Sequence, residues 1–221
     1  MCGRFVRYSS IHEIIKEFGV SGPSFDLKSN YNIAPSQEIA IVINDREKRL
    51  ALCKWGFIPS WSKDPKIGYK MINARAESVA EKPSFKGAFK SKRILIPADG
   101  FYEWQKKGKT KTPVYIRLKS GKPFGFAGLF NIWTSRDGTQ ICTCTIITTE
   151  ANNLLEPVHN RMPVIIGKGN HDQWLNPDNN SEKLKVLLKP FKSEDMDYYG
   201  VSTLVNSPSH NSSDCIKPTL E

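Results

Sequence analysis

Missing from this chain is any run near the ~18 uninterrupted apolar residues that a bilayer span requires, and its amino end has no apolar signal-peptide core. Both absences predict an intracellular, cytoplasmic protein with no membrane partner. Paired CxxC motifs and clustered histidines are missing too, so neither a metal site nor a cofactor is expected. Cysteine is scarce and odd in number: Cys2, Cys53, Cys142, Cys144 and Cys215 are scattered through 221 residues, which argues against a disulfide framework and predicts reduced thiols. On that reading the Asn-x-Ser matches at Asn179 and Asn211 have no meaning as glycosylation acceptors. No internal repeat and no low-complexity linker divides the chain. A single, monomeric domain over residues 1–221 is the simplest organisation, with Leu220-Glu221 readable as a vector remnant. Acid is in deficit: 22 Asp and Glu against 32 Lys and Arg give a formal charge of +10 and a pI near 9.4. Such a balance suits a polyanionic partner or simply a basic surface.

What is present reads mostly as β. Ser10 with Glu13 forms a capping-box pattern ahead of Ile11, Ile14, Ile15 and Phe18, and Gly19 supplies a stop, so a short amphipathic helix is predicted over 10–18. Residues 38–44 and 49–57 flank Asp45-Arg46-Glu47-Lys48 as a hairpin, and further β-rich runs lie at 93–98, 113–118, 123–133, 140–149, 163–167 and 197–204. Shorter helical patterns fall at 150–156, 170–175 and 181–189, the last ended by Pro190, while 59–71 and 205–214 read as loops. Strands outnumber helices and mostly follow one another directly. The expected class is therefore α+β, with curled antiparallel or mixed sheets round a barrel-like core and short helices outside.

The first five residues, Met1-Cys2-Gly3-Arg4-Phe5, place a cysteine where loss of one methionine makes it N-terminal. Its α-amine (ordinarily about 7.7–8.0) and thiol (about 8.5) then both offer reactive free forms near neutral pH. That pair suits an aldehyde: the amine condenses to an imine and the thiol closes a thiazolidine ring. The bland alternative is an ordinary second residue. Three further segments combine strand-like apolar residues with a functional polar group: Met71-Ile72-Asn73-Ala74-Arg75, Ala98-Asp99-Gly100-Phe101-Tyr102-Glu103-Trp104 and Pro157-Val158-His159-Asn160-Arg161-Met162-Pro163. Glu103 lies in an apolar run, where a carboxylate is costly to bury without a partner; an outward-facing glutamate is the alternative. His159 is of the residue type best suited to donate and accept protons near neutral pH, or is a core histidine bonded to backbone. Cys142 and Cys144 alternate on one strand face as structural thiols, and His12, His171 and His210 have no evident partners, although His210 stands in a loop that could reach a nucleic-acid groove.

These segments, together with Tyr31-Asn32-Ile33-Ala34-Pro35, Trp55-Gly56-Phe57-Ile58-Pro59-Ser60-Trp61 and Val201-Ser202-Thr203, resemble the SRAP family of SOS response-associated peptidase-like proteins over nearly the whole chain. The resemblance implies single-stranded DNA as partner and covalent capture of abasic sites through Cys2 once Met1 is removed, by autoproteolysis or by an aminopeptidase. It implies catalytic roles for Cys2, Asn73, Glu103 and His159: Glu103 pairing with the Cys2 amine, Asn73 orienting Cys2 or the sugar, and His159 moving a proton at the sugar ring oxygen. Arg4, Arg75 and Arg161 fit phosphate clamps. Trp61 and Tyr69 match aromatics that stack on bases, with Trp61 expected exposed and Trp55 buried, and Pro35 would wedge beside the lesion. Ser62 departs from the family, whose members carry a second bulky aromatic at that position. Lys106, Lys107, Lys109 and Lys111 read as a solvated hairpin tip; Lys86, Lys90, Lys92 and Arg93 read equally as a solvated face or a DNA-facing stripe. The competing functional classes are an N-terminal-nucleophile peptidase acting on proteins and a non-covalent single-strand binding module.

Overall fold

The computed structural model describes residues 2–108 and 110–219. Met1, Lys109, the side chain of Lys107 and the Leu220-Glu221 tail lie outside the described residues. The elements in order are strand β1 (Phe5–Arg7), helix α1 (Ile11–Phe18), β2 (Asn30–Ile33), β3 (Glu38–Asn44), β4 (Lys48–Trp55), β5 (Asn73–Arg75), α2 (Pro83–Ser91), β6 (Arg93–Ala98), β7 (Gly100–Lys107), β8 (Thr110–Leu118), β9 (Phe124–Thr134), β10 (Gln140–Glu150), β11 (Arg161–Pro163), β12 (Ile165–Ile166), α3 (His171–Leu175), α4 (Ser181–Leu184) and β13 (Met196–Gly200). The class is α+β, as the succession of strands predicts.

Five strands close into a barrel. β10 runs parallel to β4, β4 pairs antiparallel with β3, β3 with β6, β6 with β9, and β9 returns to β10. Closure leaves these five without a free edge, and β5, β11 and β12 extend the same sheet. A second sheet, in the order β13-β8-β7-β1-β2, lies against it. Phe5 carries β1 into the barrel's apolar interior, meeting Trp55 edge-on at 5.3 Å and Phe126 at 5.8 Å. Just beyond β1, Asp99 accepts from the Tyr8 and Ser9 amides at 2.5 and 2.8 Å and from the Ser9 hydroxyl, tying the amino-terminal strand to the β6–β7 junction.

Local signals account for α1: the Ser10–Glu13 capping box is formed and Gly19 ends the helix in the left-handed region at φ 62°. Elsewhere tertiary context overrides the pattern. The segment expected to be helical at 150–156 forms turns instead, because buried Asn152 takes the Leu155 amide on its own side-chain oxygen and donates to Phe191 O. Helix α2 opens on Pro83, whose fixed φ suits a first helical position, but Lys82 provides no side-chain cap; burial of Phe85, Ala88 and Phe89 holds it. The loop at 59–71 contains a 3-10 turn over Pro65–Lys70, capped by the Asp64 side chain. The run at 163–167 divides into β11 and β12, and that at 197–204 gives way after β13 to a 3-10 turn at Thr203–Asn206.

Three expectations are corrected. Cys53 and Cys142 form a disulfide across β4 and β10, with Cα atoms 4.9 Å apart; odd cysteine parity carried no information about a pair brought together by strand register. Cys2, Cys144 and Cys215 are free and buried. Arg93 is no part of a DNA-facing stripe: it is buried, and its guanidinium caps the carbonyls of Phe89, Lys90, Trp174 and Asn176. His171 has partners, stacking on Phe18 at 5.1 Å with Nε2 at 3.1 Å from Ile166 O.

Candidate active site

Register decides what surrounds Cys2. Phe5 and Val6 pair with Phe101 and Gly100, and the Tyr102 amide donates to Arg4 O at 3.0 Å, so the residues ahead of β1 run alongside Tyr102 and Glu103. From the barrel sheet, Asn73 donates its side-chain N–H to Cys2 O at 2.9 Å. Asn73 Oδ1 is buried and has no hydrogen-bond partner among the described residues, leaving one acceptor open beside Cys2. The backbone that presents Asn73 is held in turn: Ile72 O accepts from the Trp55 indole at 2.9 Å and from the Ile146 amide at 3.1 Å.

Cys2 is fully buried, with Sγ 3.9 Å from Arg4 O, and burial pushes its thiol far above the ordinary thiol range, with the nearby Glu103 carboxylate pushing the same way. Glu103 is 5% exposed, which settles the choice between a buried and an outward-facing glutamate. Burial raises its carboxyl, and His159 is among the groups that oppose that rise, so the two residues feel one another across the site.

His159 stands half-buried at the end of the 151–160 turns, its amide on Leu155 O at 2.9 Å. Nδ1 accepts from the Arg161 amide at 3.0 Å. In the neutral imidazole that bond assigns the ring proton to Nε2, making Nε2–H a donor. Gln105, two residues beyond Glu103 on the same face of β7, donates to Pro157 O at 3.3 Å and so links the glutamate's strand to the histidine's turn.

The three arginines differ. Arg75 is exposed, and no described residue engages its guanidinium in a hydrogen bond or ion pair. Arg4 is turned inward: Nη1 donates to Asn32 Oδ1 at 2.7 Å and Val205 O at 2.6 Å, and the cation lies 5.8 Å from the Trp104 ring. Arg161 is held by Glu77 and by Thr148 O. The aromatics sort as expected, Trp61 being 59% and Tyr69 64% exposed while Trp55 is wholly buried. Pro35 is half-buried in the turn before β3, next to Ser36, whose φ of 74° lies in the left-handed region. A cavity of about 210 Å³ between Ser36, Trp55 and Tyr69 adjoins this turn. Lys106 and Lys111 face each other, exposed, near the tip of the β7–β8 hairpin, and His210 is exposed with Nδ1 at 3.0 Å from Leu204 O. Glu77 and Gln105 escape a reading of the sequence; the one signal was a carboxylate two residues after Arg75.

Comparison with known proteins gives one consistent answer. A family model described as SOS response associated peptidase (SRAP) matches residues 1–208. The abasic site processing protein YoqW of Bacillus subtilis is 50% identical over 222 residues, covering 98% of this chain and 99% of that one. The abasic site processing protein HMCES of Xenopus tropicalis is 31% identical over 231 residues, covering 88% of this chain and 68% of its own length. The crystal structure of a Bacteroides thetaiotaomicron protein superposes with a TM-score of 0.91 at 28% identity, covering 99% of this chain and all of that one. The chain belongs to the SRAP family.

Proposed function

We propose that this protein processes abasic sites in single-stranded DNA by forming a covalent cross-link through Cys2 after loss of Met1. The observation that supports the reading is that Asn73 and Glu103, from two separate segments, adjoin the residue that bears the amine and thiol, while His159, from a third, is close enough to Glu103 to feel its charge. Met1 must leave first, because a peptide-bonded nitrogen is not a nucleophile; its removal is a self-cleavage or the work of an aminopeptidase. An abasic deoxyribose reacts only when open. His159 Nε2–H donates to the ring oxygen as the C1′ hydroxyl gives up its proton, which frees the aldehyde. The Cys2 amine, relieved of its proton by Glu103, adds to C1′ and the carbinolamine loses water to an imine. The thiol then adds across the C=N bond, its proton passing to nitrogen, and one water has been released overall. Asn73 keeps the Cys2 carbonyl fixed and offers Oδ1 to the amine or a sugar hydroxyl. Trp61 and Tyr69 provide faces for flanking bases and Arg75 an open cation for phosphate, with Arg4 and Pro35 shaping the wall near the lesion.

The test is intact mass spectrometry before and after incubation with a single-stranded oligonucleotide containing one abasic site, with Cys2→Ala in parallel. A chain lacking Met1 should gain the oligonucleotide mass less one water, and Cys2→Ala should gain nothing while still binding the DNA reversibly. A trimmed chain that forms no adduct would favour the peptidase or the passive binding module.

A further inference from the structure

Glu77 closes the guanidinium fork of Arg161 with both carboxylate oxygens, at 2.5 and 3.0 Å, and Thr148 O takes a further N–H at 2.6 Å. The Arg161 side chain is 16% exposed, against 53% for Glu77, so the contact fixes an almost buried cation from outside. Hydrogen bonding from Arg161 holds the Glu77 carboxyl below the usual carboxylate range, which keeps the pair ionised. With the fork filled, Arg161 has no bidentate edge left for a phosphate. Its backbone has another task. The Arg161 amide is the donor to His159 Nδ1, and the residue sits at the very start of β11, opposite Glu150. Arg161 is therefore pinned through its side chain while its amide sets the state of the histidine ring.

We infer that Glu77 is a positioning residue for His159: by holding the Arg161 side chain it keeps the Arg161 amide on Nδ1 and so keeps the donor proton on Nε2. The inference rests on the functional reading for its effect on rate but not for its effect on the ring. Replacing Glu77 leaves a nearly buried guanidinium without its counter-charge, and the side chain then turns outward to water or to DNA. The first residue of β11 follows it, and the amide bond that favours the Nε2 proton weakens.

The experiment compares the unmutated chain, Glu77→Gln and Glu77→Asp, using a natural abasic oligonucleotide for rate and a non-reactive tetrahydrofuran-abasic oligonucleotide for affinity. Cross-linking by Glu77→Gln should slow about tenfold, part of the ~10²–10⁴ that a positioned proton donor supplies, with affinity changed less than about twofold and Glu77→Asp recovering part of the rate. Long-range ¹⁵N–¹H correlation spectra should place the His159 proton on Nε2 in the unmutated chain and show a mixture in Glu77→Gln. Tighter binding at unchanged rate overturns the proposal and makes Glu77 a carboxylate that competes with phosphate for Arg161. An unaltered Nε2 proton in Glu77→Gln also overturns it. Should Glu77→Gln not fold, Arg161→Lys, which keeps amide and charge but cannot bridge Glu77 and Thr148 together, should show the mixed tautomer, and a pure Nε2 proton there overturns the proposal. If the unmutated chain forms no adduct, the functional reading fails while the spectra still decide the role of Glu77.

Discussion

Trp61 and Trp55 lie six residues apart on either side of the β4 terminus, and their environments assign them opposite work. Trp55 is enclosed, packs on Phe5 and bonds Ile72 O, so its truncation should damage the fold, by about 3–5 kcal/mol in chemical denaturation. Trp61 offers most of its ring to solvent, and Trp61→Ala should leave stability nearly intact while weakening reversible single-stranded DNA binding by about 1–3 kcal/mol in a fluorescence titration. Equal affinity in the alanine variant would remove Trp61 from the DNA surface. At this scale the sequence was legible where a residue's neighbours are local in the chain: serines on both sides of Trp61 pointed to exposure. Arg4 and Arg161 show the limit. Their type suits phosphate, yet Asn32 and Val205 occupy Nη1 of Arg4, and Glu77 and Thr148 occupy both Nη atoms of Arg161, all from positions distant in sequence.

Among the elements, the 3-10 turn that presents Tyr69 depends on a close backbone approach that only glycine permits. A Cβ at Gly68 would come within 2.7 Å of Gly56 O, and Gly56 itself adopts φ 138°. Gly68→Ala should therefore push the turn off the end of β4, costing about 1–3 kcal/mol by urea denaturation and reducing DNA binding through displacement of Tyr69. An unchanged midpoint would mean that the turn relaxes without loss. Helix α1 was fully readable because its capping box, apolar face and left-handed glycine are all contained in ten residues. Helix α2 was not, because Pro83 at its first position is its one local signal and no side chain caps it; the elements it packs against hold it, and Arg93 ties its last carbonyls to the residues following α3.

Across the whole molecule, the disulfide and one buried histidine set how the fold responds to its surroundings. Alkylation of the denatured chain without reductant should label 3 thiols, Cys2, Cys144 and Cys215, and all 5 after reduction. Five labelled thiols without reductant would leave Cys53 and Cys142 unpaired. Burial lowers the His171 pKa, so the unfolded chain binds the proton more readily than the native one. Its contribution is fully present above the ordinary value near ~6.5 and is lost as pH falls through the lower native value. Urea midpoints should accordingly fall between pH 7 and pH 5, and less steeply in His171→Phe; parallel slopes in both proteins would assign the acid sensitivity elsewhere.

The sequence alone determined the α+β class, helix α1, most strands and the exposure of Trp61, since each is encoded in local periodicity, capping chemistry or immediate chain neighbours; the candidate set Cys2, Asn73, Glu103 and His159 was legible only as what a family resemblance implies. Tertiary structure alone decided that β9 returns to β10 and closes the barrel, that Cys53 meets Cys142, that Glu103 is buried and that Arg161 answers to Glu77. These depend on which strands become neighbours and in what register. That choice is made by burying one shared core, an energy spread over the entire chain and written in no single stretch of it.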